Sequence, residues 1–238
     1  MKFLNQYYAT IDPQQVQISA EQGSTFAKKV AGDYNPIHNP DSKRFCVPGD
    51  LLFAIALERY GLNQKMSFDF LNLVSADSVL TYPSVDLSQD SHSIDISCDR
   101  GKVVLGMQCS GERCLDAEKV EPILRSYVQF SGQNFPHIFV PLMQEKNVMI
   151  NPVRPLVMYQ SMSFELQTLD FENLEIQLSE STLTSAGKRG NVTLGFSFLD
   201  NGKLIGSGSK CLVLGGLREY DQVAIDQLCA DYEASKCA

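Results

Sequence analysis

An α+β fold, with long helices packed on curved antiparallel sheet, is predicted by three features of the 238-residue sequence. A run from Gly49 to Tyr60 is apolar almost all round and stops at Gly61, so it reads as a helix buried on most sides. The segments after it change to short periodicity, with Ile94, Ile96 and Cys98 alternating as in a half-buried strand. The second half then repeats that order of elements without repeating the residues.

Taken in chain order, the spacing of Ala20, Phe26, Ala27, Val30 and Ala31 predicts a helix from Ser19 to Ala31. Ser19 caps its start and Gln22, three residues on, completes a capping box. The buried helix from Gly49 is followed by strands at Met66 to Phe70, Val79 to Tyr82, Ser93 to Cys98 and Val103 to Cys109. A mixed segment from Glu118 to Ile150 leads to a helix near Pro155 to Tyr159, then to strands at Leu174 to Leu178, Asn191 to Leu199 and Lys203 to Leu214. Asp200-Asn201-Gly202 between the last two is a hairpin signal, because a type I′ turn needs positive φ at both central residues. The stretch from Arg218 to Ala238 reads as a closing amphipathic helix. The division expected is helix then antiparallel meander, twice: residues 1–116 and 117–238.

Composition narrows the function classes. Twenty basic against 28 acidic side chains give a net charge of −8, which argues against nucleic acid as the main partner, since a backbone-binding surface must supply clustered positive charge. No apolar run reaches the roughly 18 residues of a membrane span, and the N-terminus turns polar before a signal core could form, so a cytoplasmic protein is expected. The seven cysteines (Cys46, Cys98, Cys109, Cys114, Cys211, Cys229, Cys237) include no Cys-x-x-Cys pair and no histidine at ligand spacing, which points to reduced, mostly buried thiols and no metal. Of three histidines, His92 and His137 have no chemical partner nearby in sequence, and a structural or exposed role is expected for both.

His38 differs. It closes Gly32-Asp33-Tyr34-Asn35-Pro36-Ile37-His38, where Pro36 pushes Asn35 towards an extended conformation. The turn can therefore aim Asp33 and His38 into one cleft, and such a pair sharing a water can remove its proton as the oxygen attacks and return a proton to the adjacent carbon. The N-terminus of the following helix, Pro48-Gly49-Asp50, offers free N–H groups to a developing oxyanion.

The stretch Phe26-Ala27-x(4)-Gly32-Asp33-x-Asn35-Pro36-Ile37-His38, followed by a Gly-started apolar helix, resembles the hydratase motif of MaoC-like (R)-specific enoyl-CoA hydratases, which have the hot-dog fold. The resemblance covers roughly residues 15 to 110. It implies two fused hot-dog units, each a long helix wrapped by antiparallel sheet, the motif lying in the first and the second being degenerate. It further implies an enzyme that hydrates or dehydrates an acyl thioester of coenzyme A or acyl carrier protein without a cofactor. On the matching positions Asp33 and His38 activate water and the Gly49 N–H polarises the thioester carbonyl. Asn35, Pro48 and Asp50 are candidate substrate contacts, and Lys43 and Arg44 could meet the ligand's phosphates. The chain has Pro48 where the family has His, and Asp50 where it has an apolar residue, so the Asp50 charge must point away or be neutralised beside an enolate. A non-catalytic acyl-thioester-binding protein and a hot-dog thioesterase, with Asp33 or Asp50 activating water, are the competing readings. The expected assembly is a monomer or homodimer.

Overall fold

The computed structural model describes residues 1–236; Cys237 and its part in the cysteine reading lie outside them. Short strands β1 (Ala9–Thr10) and β2 (Gln15–Gln17) precede helix α1 (Ala20–Phe26), which Ser19 and Gln22 close with the reciprocal bonds of a capping box. The helix continues as a wide π-turn over Ala27–Ala31 and ends on Gly32, whose φ of 68° only glycine adopts cheaply. Helix α2 (Gly49–Tyr60) buries nine of its twelve residues and stops at Gly61. Strands β3 (Leu62–Phe70), β4 (Val79–Thr81), β5 (Ser91–Cys98) and β6 (Val103–Cys114) complete the first half.

The second half opens with helix α3 (Ala117–Gly132), capped by Asp116. Helix α4 (Phe139–Glu145) and strand β7 (Val148–Met149) lead to the long strands β8 (Val157–Leu166), β9 (Leu174–Ala186), β10 (Arg189–Asp200) and β11 (Lys203–Gly215). Strand β12 (Arg218–Glu219) pairs with β7, and helix α5 (Gln222–Lys236) closes the described chain. No helix among the described residues is long and apolar enough to cross a membrane.

Ten strands form one antiparallel sheet in the order β1-β2-β4-β5-β6-β3-β8-β11-β10-β9. The connectivity is not the expected meander. In each half there is a run of four consecutive strands whose first pairs with its fourth, β3 with β6 and β8 with β11, while the second pairs with the third and the third with the fourth. The same permutation therefore occurs twice, and the halves meet where β3 pairs with β8 over Lys65–Asp69 and Ser161–Glu165. At the β10–β11 hairpin Asn201 and Gly202 have φ of 49° and 78°, as the Asn-Gly signal requires.

Both long helices pack on this sheet. Phe53 of α2 sits 5.0 Å, centroid to centroid, from Phe68 of β3 and from Tyr127 of α3, and Tyr127 reaches Phe196 of β10 at 5.6 Å. A second apolar cluster, including Met143, Leu194, Leu214 and Ile225, lies where α4 and α5 cover the sheet of the second half. The helix expected near Pro155 to Tyr159 is instead the start of β8, and the long helix of the second half is α3.

Candidate active site

Gly32 reverses the chain at the end of the π-turn and delivers Asp33 into a cavity of about 220 Å³. The Asn35 side chain accepts from the Ile37 N–H at 3.2 Å, and the Asn35 N–H donates to Asp33 Oδ1 at 2.8 Å. Asn35 is extended (φ −58°, ψ 124°), as the residue before proline must be, and Pro36–His38 forms one 3₁₀ turn. His38 is thereby folded back with Nε2 at 3.4 Å from Asp33 Oδ2, while Nδ1 lies 2.7 Å from the Cys46 carbonyl.

A carbonyl only accepts, so Nδ1 carries a proton. Nε2 facing a carboxylate is then stable when one more proton lies between the two groups, as imidazolium and carboxylate. Burial pulls the His38 pKa down, but the Asp33 hydrogen bond and charge, the Cys46 carbonyl and the Asp50 charge outweigh it and hold His38 above the ordinary histidine range. Burial raises the Asp33 carboxyl, but the His38 bond and charge, the Asn35 N–H and the Lys210 charge bring it below the usual carboxylate range. Both groups face the cavity and can share a water.

Pro48 and Gly49, at the head of α2, line the same cavity. Among the described residues neither the Gly49 nor the Asp50 N–H donates to a protein acceptor. A Cβ on Gly49 would meet the Phe70 ring at 3.0 Å and the Tyr159 ring at 3.1 Å, so glycine lets these two stacked rings close over the first turn.

Asp50 turns inward and is 6% exposed. Both its carboxylate oxygens lie 2.7 Å from the Ser131 hydroxyl of α3, which also receives the Lys210 ammonium of β11 at 2.6 Å. Lys210 is 3% exposed, donates to the Ser131 carbonyl at 2.9 Å, and stands 4.4 Å from the centroid of the Tyr159 ring. Burial lifts the Asp50 pKa to about 6 against the opposing Lys210 charge and Ser131 bond. The same burial depresses the Lys210 pKa, opposed by Asp50 and Asp33. A bulge at Gln160, where Cys211 faces Ser161 but Leu212 faces Tyr159, changes the phase of β8 beside Tyr159, whose hydroxyl meets that of Tyr127.

The structure thus gathers Asp33, Asn35, His38, Pro48, Gly49 and Asp50 around one cavity, and leaves Lys43 and Arg44 exposed outside its lining. Ser131, Tyr159 and Lys210 belong to it and were not read from the sequence. His92 is buried with its Nε2 unpartnered among the described residues, His137 is exposed, and neither lines this cavity. No group of residues among those described could hold a metal ion, and the six described cysteines are free.

A family model matches residues 2–223. The chain belongs to the family described as protein of unknown function (DUF3581). No curated protein is similar to this DUF3581 chain in sequence. Solved structures similar to it include a conserved protein of unknown function with hot-dog fold from Alicyclobacillus acidocaldarius, 10% identical, spanning 90% of this chain and 98% of that one with a TM-score of 0.51. The tesB protein of Mycobacterium avium subs paratuberculosis is 8% identical over 90% and 98% of the two chains, with a TM-score of 0.50. A provisional thioesterase II from Thermobifida fusca is 8% identical over 87% and 95%, also with a TM-score of 0.50. At such identities the likeness establishes the hot-dog fold. The resemblance to MaoC-like hydratases is met at the level of that fold, and the family shown is DUF3581.

Proposed function

We propose that this DUF3581 chain is an enzyme that adds water to, or removes it from, an acyl thioester of coenzyme A or acyl carrier protein. The observation that carries the reading is the Asp33–His38 pair, 3.4 Å apart and aimed into a largely apolar cavity at whose wall α2 begins. In the hydration direction, a water held by Asp33 and His38 gives a proton to the pair as its oxygen bonds to C3 of the enoyl group. The C2=C3 electron pair shifts towards the carbonyl, and the Gly49 N–H stabilises the negative charge on the thioester oxygen. The pair returns a proton to C2, so a 3-hydroxyacyl thioester forms and the catalyst is restored. Apolar walls such as Phe70, Phe139, Val157 and Leu212 would hold the acyl chain. Asn35 and Pro48 shape the site, and exposed Lys43 and Arg44 are the contacts proposed for the carrier's phosphates.

The test is loss of enoyl-thioester absorbance with trans-2-enoyl-CoA, with thiol release followed in parallel. Asp33→Asn and His38→Ala should each lower hydration by roughly 10²–10⁴-fold with the melting temperature retained. Wild-type turnover in the double variant would refute the assignment.

A thioesterase is the second reading, favoured by the buried carboxylate directly after Gly49 and consistent with the name of the Thermobifida fusca structure. There Asp50 would take a proton from the water that attacks the carbonyl carbon, and thiol release without hydration is its signature. Neither signal, with thermal stabilisation by acyl-CoA, would identify a binding protein.

A further inference from the structure

We infer that Lys210 is a positioning residue of the site: acting through the Ser131 hydroxyl, it holds Asp50 as an ionised carboxylate beside the first turn of α2. The inference deepens the acyl-thioester reading and rests on it for the activity measurement alone.

A hydroxyl has one proton to give, and an ammonium accepts nothing. Lys210 Nζ must therefore donate to Ser131 Oγ across 2.6 Å, and the single Ser131 proton is left for Asp50 across 2.7 Å. The chain runs in one sense, from cation through hydroxyl to carboxylate, and its three members come from β11, α3 and α2. A buried carboxylate with a single hydrogen-bond donor is undersupplied, since it can accept about four bonds. Its charge therefore depends on what surrounds it. The groups facing Asp50 are Asp33 and His38 from the motif turn, Ser131 and Tyr127 from α3, Tyr159 from β8 and Lys210 from β11. His38 already answers Asp33, which leaves Lys210 as the cation for Asp50. With both pairs ionised these four groups carry no net charge between them, so the acidic residue at the head of α2 no longer opposes a developing oxyanion as a lone charge would.

Removing the cation should raise the proton affinity of Asp50, and the change should appear wherever its ionisation affects turnover. The experiment is a pH titration of the Asp50 carboxyl carbon by NMR, assigned by its loss in Asp50→Asn, in the full-length wild type and in Lys210→Met. We expect the Lys210→Met midpoint to rise by about one pH unit or more, a tenfold gain in proton affinity. Ser131→Ala retains the cation but breaks the bridge. It should raise the midpoint by a smaller amount, and it decides the matter where Lys210→Met does not fold. Midpoints equal to wild type in the folded variants would overturn the inference.

The pH profile of turnover separates this inference from the reading beneath it. Protonating Asp50 would favour an enolate but disable a base, so its limb falls with rising pH for hydration and rises for thioester hydrolysis. In either reaction the limb should move upward in Lys210→Met, whereas the Asp33–His38 limb, on which Lys210 acts more weakly than His38 and the Asn35 N–H do, should move less. A shifted titration with an unshifted limb would overturn the positioning role and leave the proposed activity standing. Absence of turnover on every acyl thioester would count against the proposed function, and the titration would still decide whether Lys210 sets the charge of Asp50.

Discussion

His38 and Asp50 both bind a proton more tightly in the folded chain than an unfolded one would, for different reasons. For His38 the cause is a carboxylate and a carbonyl at hydrogen-bonding positions, and for Asp50 it is burial. The sign of the stability effect is the same. The His38 contribution is full below the unfolded value of about 6.5 and is lost as pH rises through its higher folded value. The Asp50 contribution is full below about 3.9 and is lost as pH rises through about 6. A change of about two pH units in midpoint corresponds to roughly 3 kcal/mol between pH 4 and 6. Asp33 acts oppositely, and its contribution is lost only as pH falls below the usual carboxylate range. Thermal melts at constant ionic strength should therefore show higher stability near pH 4.5 than near pH 7, with Asp50→Asn flattening the decline from pH 4 to 6. A melting temperature that rises over that interval in wild type would contradict this account. At this scale the sequence was readable where the chemistry is local: five positions separate Asp33 from His38, and Pro36 fixes the turn between them. The neutralising partners of Asp50 were not readable in the same way, because Ser131 lies 81 residues from Asp50 and Lys210 lies 79 residues from Ser131. One signal existed, since Lys210 is the single charged residue between Leu204 and Leu214 and stands in phase with inward Leu212 and Leu214.

The helices and strands show the same division between local and distant causes. Helix α2 and the Asn-Gly hairpin follow from contiguous residues, and the structure places both where the sequence does. Helix α3 was hidden by Pro122 in its interior, although Val120, Ile123, Leu124, Tyr127, Val128 and Ser131 form one buried helical stripe. The short run Pro155 to Tyr159 is too brief for periodicity to separate helix from strand, and pairing with β11 makes it strand. The position of α3 depends on a close approach that only glycine permits. A Cβ on Gly132 would lie 2.2 Å from the Ala31 carbonyl oxygen and 3.0 Å from the Ala31 Cβ, at the end of the π-turn that delivers Asp33. Backbone cannot move aside as a flexible side chain would, so Gly132→Ala should cost roughly 3 kcal/mol, measured as a lower urea midpoint at unchanged slope. Because Ser131 is the preceding residue, the same variant should also disturb the Asp50 bond. An unchanged midpoint would mean that the two segments are not held at this distance.

At the scale of the whole molecule, the repeated strand permutation supports the proposal that residues 1–116 and 117–238 are two fused hot-dog units, the chain passing from one to the other as β6 ends and α3 begins. Three of the four long strands of the second half were legible in the hydrophobic pattern, but the helix that opens that half was not. The seam was hidden too, since no local feature marks which strand will meet the other half. That seam is β3 against β8, and the cavity draws Asp33, His38 and Asp50 from one side of it and Ser131, Tyr159 and Lys210 from the other. Neither half alone lines the cavity. A sheet that is continuous across the seam, with Phe53 packed on both Phe68 and Tyr127, should also unfold as one body. Phe68 is fully buried on the seam strand, so Phe68→Ala should cost about 4 kcal/mol by leaving a cavity there. If the two units unfold together, native-state hydrogen exchange should record that loss equally in the slowest amides of β5, in the first unit, and of β10, in the second. Loss of protection confined to β5 would show instead that the first unit opens alone, and the site would then be assembled from two independently stable parts.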